Sequence, residues 1–251
     1  RYNLSDFTQY LDDAAIPDSM FMHEGILKIL VQDARIALAQ ISANFHGRPS
    51  SRLLLVGITG TNGKTTTAHL VRSILEANGT AAGLIGTIEH RIGEHVVPAT
   101  HTTPESLELN ALLARMVQER CQAAVMEVSS HALAMHRVEG LTFRAGVFTN
   151  LTQDHLDYHG TMDEYFHAKK ILFDHLNAEA VAVVNGDDAS GLRLCEGTKA
   201  RVITYGTGDG ADVRASGIAL GVGGSRCTVT SGAASMEVAS SLTGRFNIAN
   251  I

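Results

Sequence analysis

The chain has 251 residues, 45% hydrophobic and 18% charged, which suits a soluble globular protein with one substantial core. Its 26 acidic and 20 basic residues leave a net charge of −6, which argues against a nucleic-acid binder built on a basic face. Cys121, Cys195 and Cys227 are odd in number and far apart, no apolar run approaches the ~18–20 residues of a membrane span, and the N-terminus lacks a signal-peptide pattern, so the expectation is a monomeric cytoplasmic chain without disulfides, structural zinc or membrane insertion.

Residues 26–45 carry Ile26, Leu27, Leu30, Ala34, Leu38, Ile41 and Phe45 at helical spacing, which predicts a helix, and residues 46–51 read as a linker. The next segments alternate. Residues 53–58 form an apolar run that predicts a buried strand, and residues 64–77 predict a helix ending at Asn78-Gly79. A short strand follows at 82–86 and a hairpin around Gly93 at 88–97. Thr103 with Pro104 reads as the cap and first position of a helix running to Met116. Strands are predicted at 123–128, 145–149, 180–185 and 201–205, with a helix at 162–176.

This alternation predicts an α/β domain: a parallel sheet of the P-loop type with helices on both faces. From 212 to 240, short β segments separated by glycines predict a small β-meander appended to that domain. The last residues, Phe246 to Ile251, read as the first turn of a helix, so the chain is expected to be part of a longer protein.

Gly57-Ile58-Thr59-Gly60-Thr61-Asn62-Gly63-Lys64-Thr65-Thr66 lies between a predicted strand and helix, the context a phosphate loop needs. Glycines let backbone N–H groups approach phosphates, and the helix N-terminus adds its positive dipole end. Lys64 suits the β/γ-phosphates and the Thr65 hydroxyl suits Mg²⁺. The usual G-x-x-x-x-G-K-[ST] pattern would put its first glycine at Ile58, so the match is to the variant G-T-N-G-K-T. A dinucleotide turn needs G-x-G-x-x-G, whereas Gly57, Gly60 and Gly63 are spaced G-x-x-G-x-x-G, and it leaves Lys64-Thr65 unexplained. Glu127 ends a predicted buried strand, where a carboxylate is costly unless paired or holding a metal.

The Gly60–Thr66 segment resembles the ATP loop of the Mur ligases and of the related folylpolyglutamate synthetases. His101-Thr102-Thr103-Pro104, the run from Met126 to Leu133 and the run from Asn150 to Gly160 are similar to the Mur ligases that extend UDP-MurNAc-L-Ala-D-Glu. The resemblance is collinear from about Phe45 onward. It implies residues 1–50 as a remnant of an N-terminal UDP-binding domain with its linker. Residues 51–251 would be the central ATP-binding domain, incomplete at its C-terminus and without the C-terminal domain.

The resemblance also implies an ATP loop of Gly60, Thr61, Asn62, Gly63, Lys64, Thr65 and Thr66, with Asn247 and Asn250 at the adenine. Thr65 and Glu127 would hold one Mg²⁺, and Glu127 and His155 a second. Thr102, Thr103, Ser129 and Arg137 would hold the UDP-muramoyl dipeptide, while Met135 stands where some relatives carry Gln, removing one substrate hydrogen bond. Lys169, beside an ordinary surface Lys170, would carry a CO₂-derived carbamate that binds metal.

The reaction implied is ATP-dependent, ADP-forming amide ligation in peptidoglycan synthesis, with Lys64, Glu127, His155 and Lys169 as its catalytic residues. It adds an amino acid, meso-diaminopimelate before L-lysine, through an acyl phosphate. The rivals are a folylpolyglutamate-type ligase on the same fold and a nucleotide-binding regulatory protein without turnover.

Overall fold

The computed structural model describes residues 20–23, 26–29 and 31–251. The single helix expected over 26–45 is instead two elements. Strand β2 (Ile26–Ile29) pairs antiparallel with β1 (Met20–His23), and helix α1 (Ala34–Phe45) starts only after Asp33. Asp33 Oδ1 accepts from the Arg35 and Ile36 amides at 2.8 and 3.0 Å, satisfying donors that the first turn leaves free. Leu30 lies outside the described residues.

The elements that build the main body then follow the expected order. They are β3 (Leu54–Thr59), α2 (Lys64–Ala77), β4 (Ala82–Ile85), β5 (Glu89–Ile92), β6 (His95–Pro98), α3 (Ser106–Gln118) and β7 (Ala123–Glu127). Next come α4 (Ser130–Ala134), β8 (Ala145–Phe148), α5 (Leu156–His159), α6 (Met162–Asp174), β9 (Val181–Asn185) and α7 (Ser190–Leu194). The chain closes with β10 (Arg201–Gly206), β11 (Val213–Gly221), β12 (Gly224–Ser231), β13 (Ala234–Ser240) and α8 (Arg245–Ile248). Among the described residues, no helix is long and apolar enough to cross a membrane.

Eleven strands form one sheet in the order β13-β12-β11-β10-β9-β8-β3-β7-β4-β5-β6. The strands from β4 to β11 in that order pair parallel, and each edge is finished by antiparallel pairing, β4-β5-β6 on one side and β11-β12-β13 on the other. The appended meander thus continues the main sheet, joined through the parallel pairs Tyr205–Val213 and Gly206–Arg214.

Period-two alternation splits β3 between two cores. Leu55 packs with Leu109, Leu113 and Met116 of α3 and with Leu172 and Phe173 of α6. Val56 and Ile58 face the other way, onto Ala68, Val71 and Leu75 of α2. Each face is therefore covered by helix, which fixes the strand ends that carry the site.

Helix α3 starts two residues later than expected, with Glu105 at its cap position. Thr103 is not the cap, because its hydroxyl is committed elsewhere: Oγ1 donates to the Glu127 carbonyl at 2.8 Å and accepts from the Ser129 amide at 3.1 Å.

Candidate active site

The register places Glu127 beside Ile58 and Phe148 beside Thr59, so the carboxyl ends of β7, β3 and β8 meet at residues 60–63. That edge is where open parallel sheets form ligand sites. Gly60 (φ +145°) and Gly63 (φ +88°) carry the turn, and there is no room for a side chain at either. A Cβ on Gly60 would fall 1.9 Å from Thr149 Oγ1, and one on Gly63 would fall 2.3 Å from Asn250 Oδ1.

The segment after β8 grips the loop. The Thr61 amide donates to the Asn150 carbonyl at 2.8 Å, and the Asn62 amide to Asn150 Oδ1 at 3.0 Å. Thr149 Oγ1 donates to the Asn62 carbonyl at 2.6 Å. Thr61 Oγ1 donates to the Thr152 carbonyl, accepts from the Thr152 amide, and shares a hydrogen bond with Tyr165 OH. Gly63 is the cap residue of α2, and Lys64, Thr65 and Thr66 form its first turn, where free N–H groups gather.

Two amines lie under this loop. Lys64 Nζ donates to the Gly60 and Thr61 carbonyls at 2.9 Å, and Lys169 Nζ donates to the same Gly60 carbonyl at 3.0 Å. Lys169 is 1% exposed and its Nζ sits 4.2 Å from the centre of the Tyr165 ring. Burial first, then the charge of Lys64, pushes the Lys169 amine well below the ordinary lysine value, with Asp154 opposing. Burial also lowers Lys64, against Glu127 and Asp154. Lys170 points away to Asp174 and the Glu196 carbonyl, as a surface lysine does.

Glu127 is buried at 1% exposure yet fully bonded. Its Oε2 accepts from Thr65 Oγ1 at 2.9 Å and Thr87 Oγ1 at 3.1 Å, and Oε1 accepts from the Thr87 amide at 2.8 Å. A hydroxyl and a carboxylate that touch at the mouth of a phosphate loop are hard oxygen donors, the set that Mg²⁺ takes beside phosphate oxygens. These residues fit Mg²⁺.

His155 is half-exposed and adopts φ +52° at the start of α5. Its Nε2 lies 3.6 Å from Asp154 Oδ2, and its ring packs edge-on to His131 and Tyr165, 4.9 and 6.1 Å between centroids. The four expected metal ligands therefore divide: Thr65 and Glu127 touch, Lys169 sits at Gly60, and His155 stands with the aromatic side chains beside Tyr165.

The substrate-motif residues cluster on the far side of Glu127. Thr102 Oγ1 shares a 3.0 Å hydrogen bond with Thr87 Oγ1, and Ser129 caps α4 by accepting from the Ala132 amide at 3.1 Å. Arg137 donates to the Thr103 carbonyl at 2.9 Å and pairs with Glu105 at 2.8 Å, with Met135 sulfur 3.6 Å away. Asn250 bonds Asn247 Oδ1 at 3.1 Å, and Asn247 Nδ2 donates to the Thr243 carbonyl at 2.8 Å. Asn250 is thus the asparagine brought to the loop, and Asn247 supports it.

A model of the Mur ligase middle domain matches residues 58–251. The chain belongs to the Mur ligase family. It is 48% identical over 236 residues to a UDP-N-acetylmuramoyl-L-alanyl-D-glutamate–2,6-diaminopimelate ligase from Chlorobaculum tepidum, a match covering 91% of this chain and 46% of that protein. The like-named ligase of Caldanaerobacter subterraneus is 44% identical over 228 residues, covering 91% and 47%. The chain spans about half the length of these curated Mur ligase relatives.

A solved Mur ligase of the same name superposes with TM-score 0.75 and 30% identity, covering 85% of this chain and 44% of that one. A MurF from Acinetobacter baumannii shares the fold, with TM-score 0.68, 22% identity and coverage of 91% and 47%.

Three features of this Mur ligase middle domain lay beyond the sequence reading. Thr87, which makes two of the three bonds to the Glu127 carboxylate, sits just past the end of β4; its place at a parallel-strand terminus was the available signal. His159 is buried with Nε2 2.9 Å from Ser130 Oγ, a placement that its position in the Asn150–Gly160 run did not signal. Burial, together with His131 and Lys169 nearby, lowers its proton affinity. Asn185 and Asp188 reach the segment after β8, and no local motif marked them.

Proposed function

We propose that this chain is the central ATP-binding domain, residues 51–251, of an ADP-forming amide ligase, preceded by a remnant of a uridine-binding domain at 1–50. The reaction proposed joins meso-diaminopimelate to the D-Glu side-chain carboxylate of UDP-MurNAc-L-Ala-D-Glu, in the cytoplasm, by a monomer. The observation that carries the reading is Glu127: a buried carboxylate, bonded to the Thr65 hydroxyl of a phosphate loop, on the adjacent strand. The names of the relatives supply the substrate and favour diaminopimelate over L-lysine and over a folylpolyglutamate-type acceptor.

The chemistry takes two displacements. A D-Glu carboxylate oxygen attacks the γ-phosphorus of ATP, the bond to the β,γ-bridging oxygen breaks, and ADP leaves. The incoming amine then attacks the acyl carbon of the acyl phosphate. Inorganic phosphate leaves from the tetrahedral intermediate, and the nitrogen loses a proton.

Loop amides and Lys64 hold phosphate charge, and Gly60 and Gly63 let the backbone close on it. Thr65 with Glu127, and Glu127 with His155, would hold two Mg²⁺, which neutralise phosphate charge when bound. Asn250, beside Gly63 and bonded to Asn247, would contact the adenine, with Asn247 supporting it. Thr102, Thr103, Ser129 and Arg137 would meet the acceptor, with Glu105 released from the Arg137 fork.

Lys169 carries a carbamate in this reading. Its amine nitrogen adds to CO₂ and loses a proton, giving an anion under the loop where a cation would oppose Mg²⁺. What supports this is the burial that favours its neutral, nucleophilic form.

The test is ADP release by the complete protein that contains these residues. Release that needs both UDP-MurNAc-L-Ala-D-Glu and meso-diaminopimelate is expected. ADP release with other acceptors, or none with these, overturns the reading.

A further inference from the structure

The segment that grips the phosphate loop is itself held from behind. Phe148, Thr149 and Leu151 end and follow β8, and three side chains, from the end of β9, the turn after it and β10, reach their backbone. Tyr205 OH donates to the Phe148 carbonyl at 3.0 Å. Asn185 Nδ2 donates to the Thr149 carbonyl at 2.8 Å, and Asp188 Oδ2 accepts from the Leu151 amide at 2.8 Å. Asn185 and Tyr205 are register partners on neighbouring strands, and Asp188 follows Asn185 by one turn.

None of the three is a free surface group that happens to touch. Asn185 is 7% exposed, and its Oδ1 also accepts from the Asp187 amide at 2.9 Å. The other Asp188 oxygen accepts from the Ser190 amide, at the first residue of α7, at 2.8 Å. Burial, with Asp187 and Asp188 nearby, keeps Tyr205 protonated, so its hydroxyl remains a donor.

The gripped segment sits between this bracket and the loop with no slack on the loop side. Thr149 Oγ1 fills the space that a Cβ on Gly60 would need. Asn150 takes both the Thr61 and Asn62 amides. A backbone held on one side and pressed against a glycine turn on the other transmits position directly, because packed interiors do not absorb sub-ångström shifts.

We infer that Asn185, Asp188 and Tyr205 are positioning residues for the phosphate loop, acting through residues 148–152. They set the Thr61–Asn62 backbone without touching a phosphate. The inference rests on the nucleotide reading above only for the ligand half of its test.

That test compares the unaltered chain with Asp188→Ala and Tyr205→Phe by residue-resolved amide hydrogen exchange. Loss of one buried hydrogen bond is expected to speed exchange at Thr61 and Asn62 by about tenfold, while Val56 and Val125 in the central strands stay unchanged. Equal speeding at all four residues would reduce the bracket to general stability and overturn the inference. Exchange at Thr61 and Asn62 within roughly twofold of the unaltered chain in both variants would overturn it too.

Calorimetry with Mg-ATP supplies the second readout, with the Kd expected to rise about tenfold in Asp188→Ala. If the unaltered chain binds no Mg-ATP, the nucleotide reading fails, and the exchange data alone decide the bracket.

Discussion

Lys64 and Lys169 converge on a single acceptor, the Gly60 carbonyl oxygen, at 2.9 and 3.0 Å, from helices on opposite faces of the sheet. Two amines on one oxygen, one of them fully buried, cannot both keep an ordinary proton affinity. Lys169 is the one pushed well below its usual 10.5.

Stability should therefore rise with pH over the interval between the depressed folded value of Lys169 and 10.5. In that interval the unfolded chain binds a proton that the folded chain lacks, so alkali favours folding, by at most ~1.4 kcal/mol per pH unit for one group. Urea unfolding at about pH 7.5 and about pH 9.5 in CO₂-free buffer measures the slope. Lys169→Met should flatten it, and parallel lines for the two proteins would refute the assignment.

Lys64→Ala should abolish thermal stabilisation by Mg-ATP. The Lys64 amine brings a side-chain positive charge to the loop, where backbone amides are the other donors to phosphate. A fall in affinity of at least ~100-fold is expected, from losing a charge-assisted contact of ~3 kcal/mol. Unchanged Mg-ATP affinity by calorimetry would dismiss the phosphate-loop assignment.

Glu127→Gln should separate folding from metal binding. The side-chain amide can replace Oε2, since the Thr65 and Thr87 hydroxyls can turn to accept, so the stability cost is about 1 kcal/mol. The anionic ligand is lost, and Mg²⁺ should no longer enhance ATP affinity. Titrations with and without Mg²⁺ read this directly; an undiminished Mg²⁺ effect would remove Glu127 from the metal site.

Gly60→Ala and Gly79→Ala share a positive φ but differ in what surrounds them. Gly79 (φ +78°) has open space, so alanine there should cost only backbone strain, ~1 kcal/mol. At Gly60 the new methyl meets Thr149 Oγ1 and the Asn150 backbone, and a further ~2 kcal/mol or more is expected from overpacking. Equal losses on chemical denaturation would mean that the grip of 149–150 on the loop is loose.

Much of this was legible because parallel α/β segments advertise themselves. β3, the glycine turn and α2 were readable from an apolar run, turn residues and a capped helix in immediate succession. α4, α5 and α7 were not, since four or five residues are too few to show a helical period. At 26–29 an apolar cluster ambiguous between helix and strand was joined to the true helix beyond Asp33, whose cap marked the break.

Thr103 misled for a different reason. Thr-Pro before an apolar stripe is a sound local cap signal, but a tertiary bond to the Glu127 carbonyl outcompeted it. The bracket of Asn185, Asp188 and Tyr205 was invisible, because it consists of contacts spanning 36 to 57 residues.

The strand order has a kinetic consequence. β3, inside the parallel part of the sheet, pairs with β7 and β8 and never with β4, its neighbour in sequence. The sheet therefore cannot zip up as the chain emerges; β3 must wait for partners about seventy and ninety residues downstream, at the loop-closure entropy such separations carry. Gly60, Glu127, Thr149 and Lys169 come together only when those pairings close. Refolding should be slow, and nucleotide binding should return with the last phase of it, not with the early helix signal.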